Sequence, residues 1–247
     1  MIDGLSPWLV VFLYALVTAL ATGLGALPFL FVRSMSEHIV AYANAIAAGL
    51  MMGASFGLVA EGTKYGAVQT VAGGVLGVLF ILLTQRWLAG HQTIAFGGLS
   101  GVGARRMILV IIVMTVHSFS EGVAVGVAFG GGLALATVIT VAIAVHNVPE
   151  GLAISAVLRP KGQSVLRCAG WSIFSSLPQP LMAVPAFLFV EAVRPALPYG
   201  LGFAAGAMFF MVLVELLPEA FGQARKAVVA TLTSVAIVAM VVFQQYL

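Results

Sequence analysis

Two short stretches carry most of the chemistry open to this chain. His117-Ser118-Phe119-Ser120-Glu121-Gly122 and His146-Asn147-Val148-Pro149-Glu150-Gly151 each place an imidazole four residues before a carboxylate. On a helix that spacing puts both groups on one face, about a turn apart. Two such faces turned toward each other offer two nitrogens and two carboxylates. The set is borderline in softness, suited to Zn, Fe, Mn, Co or Cd and unlike the all-oxygen cages of Ca or Mg. A single His–Glu pair could be a structural hydrogen bond; two pairs of equal spacing point to a shared metal site. The sequence has no HExxH zincin helix, and no G-x-S-x-G elbow or Ser–His–Asp pattern stands out.

The elements that position these groups must cross a membrane. Of 247 residues, 62% are hydrophobic and 8% charged, with a mean hydropathy of +1.13. A soluble domain carries roughly 25% charged residues. The apolar excess therefore faces lipid, and the fold class is all-α integral membrane. A span takes about 20 mostly apolar residues. Cutting at charged and glycine-rich breaks gives eight, at 8–32, 39–60, 67–88, 107–130, 133–158, 169–190, 197–217 and 226–246. They form one transmembrane unit over residues 1–247. The start Met1-Ile2-Asp3 has no basic region before its apolar run, which argues for a first span that is retained. The lone Cys168 rules out an internal disulfide. The net charge of +3 is no sign of nucleic-acid binding.

Loop charge sets the direction. With the N-terminus outside, nine of the 11 basic residues fall in inside loops and only Lys64 and Arg194 fall outside. Cytoplasmic loops are the ones enriched in Lys and Arg, so both termini are expected to be extracytoplasmic. The short loops suit a bacterial inner membrane. Glu121 and Glu150 lie well inside spans four and five, and Glu215 about a turn inside span seven. Ionisable groups at such depth normally line a site or a pathway. Pro149 cannot donate to the carbonyl of Val145, so span five is expected to bend beside His146.

Ala47-Ala48-Gly49-Leu50-Met51 in span two recurs as Ala204-Ala205-Gly206-Ala207-Met208 in span seven. These spans cross in opposite directions. An inverted repeat of spans one to three and six to eight around the four–five pair explains the match, and such repeats place substrate near the midplane.

With these features the chain resembles the ZIP (Zrt/Irt-like) family of divalent metal transporters. The resemblance rests on HSFSEG at 117–122, HNVPEG at 146–151, AAGLMMGASF at 47–56 and ELLPEA at 215–220. It implies eight helices in a 3+2+3 arrangement and uptake of Zn²⁺ or related divalents (Cd²⁺, Fe²⁺, Mn²⁺, Co²⁺) into the cytoplasm. It implies a primary metal site of His117, Glu121, His146 and Glu150, with Met51 beside them. A thioether there favours softer ions; ordinary gap-filling is the alternative role for Met51. Three departures stand out. Ser118 and Ser120 replace the Asn and Pro of many members, and Gln179 stands where members with a two-metal centre have Glu. The loop 89–106 holds one histidine, His91, in place of a His-rich run. Ser118 and Gln179 are neutral, so one principal metal is expected, with Ser118, Asn147, Gln179 and Glu215 left to a weak second site or pathway.

The expected function is transport of a divalent metal, zinc first, with metal ion and bilayer as partners and a homodimer compatible with the chain. Two alternatives are a membrane metalloenzyme, which needs an open coordination position and a catalytic acid or base, and a proton-coupled carrier of another solute.

Overall fold

The computed structural model describes the backbone of residues 5–90 and 102–246, with side chains detailed for 5–87, Thr115 and 117–246. The expectation for the loop around His91 falls outside the described residues. All regular structure described is helical. The elements are α1 (Pro7–Leu24), α2 (Glu37–Tyr65), α3 (Ala67–Gly90), α4 (Val102–Gly130), α5 (Leu133–Leu158), α6 (Val165–Ser176), α7 (Pro178–Ala192), α8 (Leu197–Met211), α9 (Leu217–Gln223) and α10 (Lys226–Gln245). Seven helical segments among the described residues are long and apolar enough to cross a membrane. The eighth expected span is α4, whose 29 residues extend about 43 Å at the usual helical rise.

Three expected spans are interrupted. Span one ends as a helix at Leu24, and a 3-10 turn, Leu27–Leu30, finishes it. Gly25 there lies backbone to backbone against Val148, Gly151 and Leu152 of α5, where no side chain fits. Span six is two helices joined at Leu177. Pro178 has no N–H for the carbonyl of Phe174, four residues back, so one ladder cannot run through. Span seven widens into a π turn, Val212–Leu216, before α9. Pro218 lacks the donor for Val214, and a π turn is one way a helix absorbs that loss. Pro149, by contrast, sits inside an unbroken α5.

Glycine lets four helix pairs approach closely. A Cβ at Gly73 or Gly77 of α3 would strike the backbone of α8, and one at Gly49 or Gly53 of α2 would strike α10. Gly122 and Gly126 of α4 face the α7 backbone at Gln179 and Ala183, and Gly151 of α5 faces Thr22 of α1. Close backbone approach is how membrane helices gain packing energy without a hydrophobic drive. The α4–α5 turn ends at Gly132, whose φ of 114° disfavours any other residue. Helices α2 and α4 each also pack against both α5 and α8, and the four carry the main buried cluster, from Met51 and Leu58 to Ile139, Ile143, Leu201 and Met208. The outer faces are apolar, as with Val68, Val71, Leu76 and Leu83 on α3.

Candidate metal centre

In the middle of this apolar bundle lies a knot of buried polar side chains. His117 and Glu121 come from α4 and His146 and Glu150 from α5; none is more than 3% exposed. A carboxylate in such surroundings is costly unless a cation or donors meet it. His117 Nε2 lies 3.3 Å from Glu121 Oε1 and 3.0 Å from Glu150 Oε1. His117, Glu121 and Glu150 each present a ligand atom within 4.8 Å of the others.

Direction matters as much as distance. His117 Nε2 and Glu150 Oε1 stand within ion-pair range, yet neither makes a well-directed hydrogen bond among the described residues. Two buried polar atoms this close and without donors or acceptors of their own are what a cation between them would satisfy. Zinc bonds of about 2.1 Å in a tetrahedron set ligand atoms about 3.4 Å apart. The observed 3.0 and 3.3 Å edges lie a few tenths of an ångström inside that. The donor set of imidazole and carboxylate is one that zinc uses.

His146 stands differently. Its Nε2 is 2.7 Å from Glu121 Oε1, so in this state it donates to that carboxylate, and its Nδ1 has no partner among the described residues. It joins the cluster through Glu121. On binding metal through Nε2 it would have to give up that proton.

The other carboxylate oxygen, Glu121 Oε2, accepts a hydrogen bond from Gln179 Nε2 of α7. Gln179 Oε1 in turn accepts from the Thr18 hydroxyl at 2.5 Å and from Asn147 Nδ2 at 3.2 Å. Asn147 Nδ2 also donates to the Thr18 carbonyl at 2.8 Å. Four helices thus meet at one neutral amide. Ser118 is buried one residue after His117, and the Ser120 hydroxyl is turned back onto the His117 carbonyl. Met51 is fully buried within the main apolar cluster. Thr18 was not singled out from the sequence. A signal was present: Thr18 and Thr22 put two hydroxyls on one face of an otherwise apolar span.

Glu215 sits in the π turn, within electrostatic reach of His117 and Glu150, and accepts a hydrogen bond from Gln85 Nε2 of α3. π turns are frequent at functional sites. Glu61 pairs with Lys64 at 2.7 Å, and Glu219 with Gln223. Both glutamates flank a cleft or surface; Glu61 and Lys64 line an apolar cavity of about 510 Å³ between α2, α10 and the α4–α5 turn.

The family profile described as ZIP Zinc transporter matches residues 98–242, which includes both His–Glu stretches. The chain belongs to the ZIP family. "Zinc transporter GufA" of Myxococcus xanthus is 31% identical over 223 residues, covering 83% of this chain and 86% of that protein. "Zinc transporter ZupT" of Corynebacterium glutamicum is 30% identical over 249 residues, covering 91% of this chain and 95% of that one. An Arabidopsis thaliana protein named provisionally as a zinc transporter is 46% identical over 231 residues; the match covers 92% of this chain but only 37% of the plant protein's length. Membership places the chain among metal transporters, not enzymes, which removes the metalloenzyme rival.

Proposed function

We propose that this ZIP-family chain moves zinc into the cytoplasm through a single principal site between α4 and α5. The observation that carries the reading is the buried convergence of His117, Glu121 and Glu150 on one point inside an apolar membrane bundle. Zinc sheds water to these three and to His146 once that imidazole releases Glu121. Met51 favours softer ions, so Cd²⁺ is the expected competitor, ahead of Fe²⁺, Co²⁺ and Mn²⁺.

The 3+2+3 inverted repeat is the architecture that best suits the packing. Exchanging α1 with α6–α7, α2 with α8–α9, α3 with α10 and α4 with α5 turns each major contact into another. The α3–α8 pair becomes α10–α2, and α4–α7 becomes α5–α1. The site then sits at the symmetry axis near the midplane. Both termini lie outside by the loop charges, as suits a bacterial inner membrane, and the cavity by Glu61 becomes the outer vestibule. Glu215 serves the pathway beyond the site. Gln179 and Ser118 bring no charge, so a second ion there is weakly held.

Zinc flux into liposomes carrying the Glu121→Ala, Glu150→Ala variant tests this. Flux at background is expected; flux equal to the parent's excludes the shared site. Metal-independent uptake of another solute would favour the proton-coupled carrier.

A further inference from the structure

Gln179 sits at the start of α7 with no exposed surface, and its amide orientation is forced link by link. The Thr18 backbone carbonyl can only accept, so the Asn147 nitrogen must face it at 2.8 Å. That same nitrogen lies 3.2 Å from one end of the Gln179 amide, which must therefore be the oxygen. The Thr18 hydroxyl, 2.5 Å from that oxygen, has one proton to divide between it and the Ala15 carbonyl at 2.7 Å, so the Asn147 contact is the one that decides. The Gln179 NH₂ is left facing Glu121 Oε2. A flipped amide would set oxygen against carboxylate and nitrogen against nitrogen. The orientation follows from donor and acceptor inventory alone.

Glu121 is consequently held at both oxygens: Oε2 by Gln179, while Oε1 faces His146 and His117. An unrestrained carboxylate rotates and can offer either oxygen or both. Here one oxygen is already occupied by the Gln179 amide donor. The metal focus sees Oε1 only.

We infer that Gln179 is a positioning residue: through the Thr18–Asn147–Gln179 relay it fixes Glu121 as a one-oxygen ligand to the transported ion, without itself touching metal. This rests on the reading that Glu121 binds the ion. Outer-shell partners of this kind typically contribute 10–100-fold to metal affinity. The relay also ties the affinity of α4 to the seating of α1, a helix that supplies no ligand.

The test is Zn²⁺ affinity of the full-length purified chain, by chelator competition, with the visible spectrum of bound Co²⁺ as a report on coordination. Gln179→Leu should weaken Zn²⁺ binding about 10-fold or more and change the Co²⁺ spectrum. Thr18→Val, which removes the hydroxyl contact to the Gln179 oxygen while Asn147 keeps the other, should act in the same direction by less. Adding Thr18→Val to Gln179→Leu should cost nothing further. The control is Thr22→Val with Ser176→Ala, which removes the 2.8 Å hydroxyl contact joining α1 and α6 but does not touch Glu121. Its affinity and spectrum should stay at the parent's. An unchanged affinity in Gln179→Leu overturns the inference, as does equal weakening in the control pair. If Gln179→Leu does not fold, Asn147→Leu combined with Thr18→Val, which removes both donors to the Gln179 oxygen, decides in its place, and a parental spectrum there overturns the inference. Glu121→Ala separates the layers. If it binds Zn²⁺ like the parent, the ligand assignment itself fails. If it loses binding while Gln179→Leu does not, only the positioning role fails.

Discussion

A single methyl at Gly122 should loosen the protein beside its site. A Cβ built there lies 2.5 Å from the Gln179 carbonyl oxygen and 2.8 Å from its Cα, against an ordinary contact of 3.4 Å or more. The neighbour is helix backbone, so α4 and α7 must part by about 0.9 Å, the difference between 3.4 and 2.5 Å. Overpacking of this kind costs about 1–3 kcal/mol. Gly122→Ala also gains helix propensity, about 1 kcal/mol. Gly170→Ala in α6 isolates that gain, because nothing lies within 4 Å of its Cβ. The propensity terms cancel between the two variants and leave the overpacking. At roughly 2–4 °C per kcal/mol for a chain of this size, Gly122→Ala should melt about 2–12 °C below Gly170→Ala in the same detergent. The parting also stretches the Gln179–Glu121 bond from 2.5 Å toward about 3.4 Å, past its ordinary length, so Zn²⁺ affinity should fall in Gly122→Ala alone. Equal melting temperatures and equal affinities would refute the close approach of α4 to α7 and the site geometry built on it.

Zinc affinity should fall on acidification from about pH 7 to about pH 5, because imidazole and carboxylate bind metal only when deprotonated; equilibrium binding at fixed free Zn²⁺ reads this, and a flat profile contradicts the donor set. Glu215→Gln should slow zinc flux several-fold while leaving equilibrium affinity at the central site unchanged, so a loss of affinity would place Glu215 within the site. Met51→Leu keeps the buried volume and should reduce Cd²⁺ affinity more than Mn²⁺ affinity; equal effects on both ions would assign Met51 to packing alone.

Much of this was legible because membrane physics writes it into local sequence. Apolar runs and basic loops mark spans, and a four-residue spacing marks one helix face, so His117, Glu121, His146 and Glu150 could be grouped before any coordinates. The breaks were harder. Hydropathy passes smoothly over Leu177-Pro178 and over Val212–Leu216, since an interrupted helix is as apolar as a continuous one. Prolines 178 and 218 were the available signal, and both act on the carbonyl four residues earlier. The state of His146 was not legible at all. Whether it faces the metal focus or donates to Glu121 depends on the α4–α5 separation to within about an ångström. Gln179 stands out in the sequence only through the family resemblance, which implies a carboxylate at a place where this chain has a neutral amide. That its amide spans Thr18, Asn147 and Glu121 is a property of four helices meeting, and no window of one helix contains it.

In the proposed mechanism one ion sits between α4 and α5. Anomalous diffraction from crystals grown with Zn²⁺, recorded on both sides of the zinc edge, tests it most directly. One dominant peak is expected at about 2.0–2.2 Å from His117, Glu121 and Glu150, with density at Gln179 no stronger than noise. A dominant peak elsewhere in the bundle, or none among those three side chains, would contradict it.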